Sequence, residues 1–102
     1  MSPQTPTVAP ESVTEERTAL APLWKVLLHN DEVTTFEFVV GLLIGLFHKE
    51  PEEALRLTQE VHDTGAALIT VTGFERAELY VEQVRSLARP QGYPLVASME
   101  PA

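Results

Sequence analysis

The stretch Leu28-His29-Asn30-Asp31-Glu32-Val33-Thr34-Thr35-Phe36-Glu37-Phe38-Val39-Val40 decides how the chain is read. Ahead of it, Leu23-Trp24-Lys25-Val26-Leu27 is apolar and partly β-branched, which predicts a strand over Leu23 to His29. Alternation puts Trp24, Val26 and Leu28 on one face of that strand, with Leu27 and His29 opposite. Behind it, a dense apolar run predicts a helix over Thr35 to His48, apolar nearly all round and so expected to be buried on more than one side. Thr34 and Glu37 have the spacing of a capping box, which places the start of this helix. An amide, two carboxylates and two hydroxyls therefore gather where a strand meets an apolar helix. Such a junction suits a small-ligand site, and it equally suits an ordinary turn with a helix cap.

Outward from this junction the chain continues in regular pieces. Lys49-Glu50-Pro51-Glu52-Glu53 interrupts the helix and starts another, because proline fits a first helical position and acids fit the positive end of the helix dipole. The second helix is expected over Pro51 to Asp63, with Ala54, Leu57, Thr58, Val61 and His62 on one face and Gly65 as its stop. Ala66 to Thr72 reads as a second strand. Glu75 to Arg89 reads as a third helix, with an inner stripe of Ala77, Tyr80, Val81, Val84 and Leu87 or Ala88. Pro90 and Gly92 turn the chain into a third strand, Tyr93 to Met99, where Pro94 favours a sheet edge. Gly41 and Gly45 share a face of the first helix, as close approach to another backbone would require.

The order βααβαβ gives an α+β fold. A right-handed crossover between strands two and three leaves room for strand one between them, so that every neighbouring pair is antiparallel. The result is a three-stranded sheet with helices on one face, and the central strand carries Asn30 and Asp31 to the end of the sheet.

Composition bounds the function. With 102 residues the chain is a single domain. Residues 1 to 21, with Pro3, Pro6 and Pro10 among Thr, Ser, Gln and Glu, read as a mobile arm ahead of a domain over residues 22 to 102. Fifteen acids against seven bases give a net charge of -8, which disfavours nucleic acid and favours cationic ligands. Cysteine is absent, which excludes disulfides and thiolate metal sites and suits a reducing cytoplasm. No basic, apolar leader opens the sequence, and the longest apolar run, Phe38 to Phe47, is about half a membrane span. A soluble monomer is expected.

His62 falls on the apolar face of the second helix. That position suits a core histidine, a metal ligand, an acid–base group or an acceptor for a ligand. A His29, Asp31 and His62 metal site is conceivable, although no two histidines have the helical i, i+4 spacing. No nucleophile motif or phosphate loop appears, and Asp31 and Glu32 lack a partner acid, so catalysis is not expected.

The residues Trp24-Lys25-Val26-Leu27-Leu28-His29-Asn30-Asp31-Glu32, Thr34, Phe36-Glu37-Phe38-Val39-Val40, Val61-His62-x-x-Gly65, Ala88-Arg89 and Tyr93-Pro94-Leu95 together resemble the ClpS family. The resemblance spans roughly residues 22 to 100. It implies a fold like the C-terminal domain of the ribosomal stalk protein. It also implies an adaptor, not an enzyme, that binds N-degron substrates and hands them to a Clp AAA+ unfoldase of the ClpA or ClpC type, with no cofactor. By that resemblance Asn30 and His62, assisted by Asp31, hold the substrate's free α-amino group. Thr34, Phe36, Val39, Thr58, Val61 and Leu95 wall an apolar pocket for a first side chain of Leu, Phe, Tyr or Trp. Glu75 and Tyr80 fall on the surface that docks the unfoldase's N-terminal domain, and the N-terminal arm assists transfer.

The chain departs from the family pattern at three of these positions. Phe36, stiffer than Met, and Thr58, shorter and more polar, stand where relatives often carry Met, which implies a reshaped pocket with tighter discrimination among Leu and the aromatics. Tyr80 stands where relatives often carry Lys. Two rival readings remain open at this point: an interaction module with another ligand on the same fold, and a small metal-dependent enzyme.

Overall fold

The computed structural model describes residues 21–102. The expected arm, residues 1 to 21, lies almost wholly outside the described residues. The elements run β1 (Leu23–His29), α1 (Phe36–Gly45), α2 (Pro51–Thr64), β2 (Ala66–Gly73), α3 (Phe74–Ala88), a 3-10 turn (Arg89–Gln91) and β3 (Val96–Pro101). The sheet order is β2-β1-β3, and both pairings are antiparallel. The expected α+β topology is therefore the observed one, with β1 in the centre.

The core forms where the inner face of the sheet meets the helices. Val26 and Leu28 of β1 are fully buried, together with Leu43 of α1, Ala54 of α2, and Ala77, Val84 and Ala88 of α3. Of the two candidates at the end of the third stripe, Ala88 is inside and Leu87 is exposed. Burying each leucine or valine side chain contributes about 1.5–3 kcal/mol.

Several local expectations are corrected. Between Val26 and Leu27 the pairing of β1 with β2 slips by one residue, from Thr70 to Leu68, so that Ile69 has no direct partner. A bulge reverses the alternation beyond it. Ala67 and Ile69 point inward, while Val71 is exposed. Helix α1 begins one residue later than the capping box predicts. Thr35 is its cap, and its hydroxyl oxygen accepts the Phe38 N–H at 3.1 Å. The helix also ends at Gly45 and not at His48, which lies in the left-handed region at φ 59 while the Lys49 N–H reaches back to the Leu43 carbonyl.

Gly41 and Gly45 do not mark a close backbone approach, because a Cβ at either position would meet nothing within 4 Å. They lie, with Ile44, on an exposed side of α1, so this helix is buried on a narrower arc than its composition implies. Finally, β3 starts at Val96 and not at Tyr93. The Arg89 guanidinium takes the Tyr93 and Leu95 carbonyls, each at 2.9 Å, and so diverts this segment from the ladder.

Candidate functional site

Three chain turns converge at one end of the sheet. Strand β1 stops at His29, and the Asn30 N–H donates to the Gly65 carbonyl at 2.9 Å. Gly65 closes α2 in the left-handed region at φ 96 and returns its own N–H to the Val61 carbonyl. This link draws Asn30 to the last turn of α2, where His62 sits. A Cβ at Gly65 would meet no atom within 4 Å, so a substitution there carries backbone strain without a steric clash. Gly65→Ala is expected to cost roughly 1–2 kcal/mol, read as a lower midpoint in chemical denaturation with an unchanged slope.

Asp31 organises the next turn. One carboxylate oxygen accepts the Val33 and Thr34 N–H groups at 2.8 and 2.7 Å, and the other accepts the Thr34 hydroxyl at 2.7 Å. Burial pushes this carboxyl up. The hydrogen bonds from Thr34 and Val33 and the positive charge of Arg89 outweigh that effect and hold it below the usual carboxylate value of 3.8. Because the Thr34 hydroxyl belongs to Asp31, Thr34 does not cap α1, and Thr35 takes that position.

Between this turn and α2 lies a cavity of about 440 Å³, within the range of small-ligand sites. Asn30, Asp31, Glu32, Thr34, Thr35, Phe36, Val39, Thr58, Gln59, Val61 and His62 line it. Its deep side is formed by Val39, Thr58 and Val61, all buried, and its mouth by exposed Asn30, Glu32, Phe36 and His62. His62 is thus neither a core histidine nor part of a buried face, as its helical position suggests. It leaves the apolar stripe at the last turn of α2 and opens onto the cavity.

Eight of the residues singled out from the sequence come together here: Asn30, Asp31, His62, Thr34, Phe36, Val39, Thr58 and Val61. Leu95 does not join this lining. It is 1% exposed and borders a separate hollow with Arg85 and Arg89. Glu32 and Thr35, part of the polar junction but given no role of their own, also line the cavity, as does Gln59, which the sequence did not single out. Gln59 is three residues before His62, a spacing that places both on one side of a helix.

The His29, Asp31 and His62 metal site is not formed. The His29 ring lies 2.6 Å from the Ser98 hydroxyl across the β1–β3 pairing, on the face of the sheet opposite Leu28. Among the described residues no three His, Asp or Glu side chains are grouped to hold a metal ion.

A larger and more open depression, about 540 Å³, lies on α3 and β3 between Glu75, Glu78, Leu79, Val81, Glu82 and Met99. It gathers three carboxylates and lacks the donor and acceptor variety of the first cavity. Glu75 is exposed on the first turn of α3, whereas Tyr80 is half-buried with its ring 4.5 Å from that of Phe47.

Residues 19–98 match the family model for ClpS, the ATP-dependent Clp protease adaptor protein. The chain belongs to that family. ClpS proteins are non-catalytic adaptors of the Clp protease. The chain is 45% identical to the ClpS adapter of Desulfatibacillum aliphaticivorans over 84% of this chain and 83% of that one. It is 46% identical to the ClpS adapter of Nautilia profundicola over 76% of this chain and 80% of that one. The solved structure of Agrobacterium tumefaciens ClpS2 bound to L-phenylalaninamide superposes with a TM-score of 0.77 and 31% identity, covering 79% of this chain and 98% of that one. Among the described residues no helix is long and apolar enough to cross a membrane.

Proposed function

We propose that this ClpS-family chain recognises the first residue of N-degron polypeptides and delivers them to a Clp unfoldase. The observation that carries this reading is the cavity itself, in which an amide and an imidazole at the mouth stand over a largely apolar floor. An α-ammonium offers three donors and one positive charge. The Asn30 side-chain oxygen, a neutral His62 ring nitrogen and the Asp31 charge are complementary to it, and capture of a terminal amine is an established recognition mode. Phe36, Val39, Thr58 and Val61 receive the first side chain. L-phenylalaninamide, the molecule bound to the A. tumefaciens relative, has the same two parts: a free amine and an apolar ring.

Delivery is assigned to α3, where Glu75 with Glu78, Leu79 and Glu82 offers an exposed docking face to the unfoldase's N-terminal domain. Tyr80 contributes less to it, since its ring is engaged by Phe47. The N-terminal arm of the chain assists transfer.

Two charge-assisted contacts and one buried side chain, offset by the costs of association, amount to roughly micromolar affinity. Calorimetry with two peptides differing only in the first residue, Leu or Gly, tests the reading. The Leu peptide binds more tightly by about tenfold to a hundredfold, the contribution of one buried leucine. Equal binding, or none by either, removes the basis for this function and leaves an interaction module with a different ligand.

A further inference from the structure

Among the side chains that line the deep side of the cavity, that of Thr58 alone carries a hydrogen-bonding group. Thr58 is 3% exposed, and its hydroxyl donates to the Ala54 carbonyl at 2.7 Å, one turn earlier in α2. A hydroxyl has one proton and two acceptor lone pairs. The bond to Ala54 engages the proton and leaves acceptor capacity on the oxygen. Its neighbours on the floor, Val39 and Val61, have no side-chain hydrogen-bonding group, and the ring of Phe36 stands at the mouth. The other hydroxyls of the lining differ from it. That of Thr34 donates to Asp31, and that of Thr35 caps α1 on an exposed residue.

We infer that Thr58 is a specificity-determining residue that favours a first residue with an O–H at the far end of an aromatic ring, tyrosine above phenylalanine, by accepting the phenol hydrogen. This rests on the N-degron reading of the cavity. A phenol buried against valines alone loses its hydrogen bond to water and binds worse than a phenyl ring. Opposite the Thr58 oxygen it exchanges water for a fixed acceptor. Thr58 cannot act as donor to the ligand while its proton is held by Ala54, so the preference has a direction: groups that donate are favoured over groups that only accept.

The test is calorimetry on the full chain with two free-amine peptides identical except for Tyr or Phe at the first position. The protein is used as wild type, Thr58→Val and Thr58→Ser. Valine keeps the shape and the β-branch, and the Ala54 carbonyl retains its helical N–H partner. In the wild type the Tyr peptide binds roughly two- to tenfold more tightly, the range for one net hydrogen bond. In Thr58→Val that ratio falls to one or below, whatever the change in absolute affinity, and Thr58→Ser restores the Tyr preference. The same Tyr-to-Phe ratio in wild type and Thr58→Val, or a wild-type preference for Phe, overturns the assignment and leaves the N-degron reading standing. Failure of both peptides to bind the wild type overturns that reading and the assignment with it.

Discussion

Acetylating the amino terminus of a Leu-starting peptide is expected to lower its affinity for this chain by at least about a hundredfold. The acetyl group removes the positive charge and leaves one amide N–H in place of three ammonium donors. Hydrogen bonds to a charged group contribute about 1.5–3 kcal/mol each, so losing two of them costs a factor of about 10² or more. The added carbonyl also points an acceptor at Asn30 and His62, where acceptors already stand. The side chain of the peptide is untouched, so a large loss isolates the mouth of the cavity from its floor. Asn30→Ala with His62→Ala produces a similar loss for the free peptide and none for the acetylated one, because the contacts those side chains make are already gone. Both residues are exposed, and removing them leaves the core intact. Titration calorimetry checks each arm. Equal affinity for the free and acetylated peptides excludes amine capture at this site.

Physical scale explains which parts of this molecule were legible in its sequence. Element type and order follow from periodicity over seven to fifteen residues, and long apolar or β-branched runs give them without ambiguity. Crossover handedness leaves room for β1 between β2 and β3 without requiring it, and the sheet order places it there. The missed features are each decided by a single competing contact. Thr34 and Thr35 offer a cap equally well in sequence, and Asp31 decides between them by taking the Thr34 hydroxyl. Tyr93 to Leu95 has the composition of a strand, but the Arg89 side chain claims its carbonyls. The bulge at Ile69 has no glycine or proline to announce it.

The site follows the same rule. Periodicity does not bring Asn30 and His62 together; the family motif implies it, and the backbone bond between Asn30 and Gly65 links the two turns that carry them. His62 shares its helical side with Thr58, yet it is exposed while Thr58 and the adjacent Val61 are buried. Leu95 is a pocket wall by the motif and lies instead beside Arg85 of α3 and Arg89 of the 3-10 turn.

Asp31→Ala is expected to damage folding and binding together. The carboxylate holds the Val33 N–H, the Thr34 N–H and the Thr34 hydroxyl at 2.7–2.8 Å, and so fixes the path from β1 into α1. The turn is partly open to water, which replaces some of these bonds after the substitution. The loss is therefore comparable to that of a strong helix cap, about 2 kcal/mol, or roughly 10 °C in Tm for a domain of this size. Peptide affinity falls as well, since Thr34 and Asn30 on either side of the carboxylate both line the cavity.

The pH dependence gives the signature. The folded-state pKa of Asp31 lies below its ordinary value, so the unfolded chain takes up the proton first as pH falls. Its stabilising contribution is complete above about pH 4, the ordinary carboxylate value, and is lost as pH falls through the depressed folded value. Melting curves of wild type and Asp31→Ala should therefore differ most near neutral pH and converge below about pH 4. A constant gap down to pH 2 would mean that the uncharged side chain, and not the carboxylate, orders the turn.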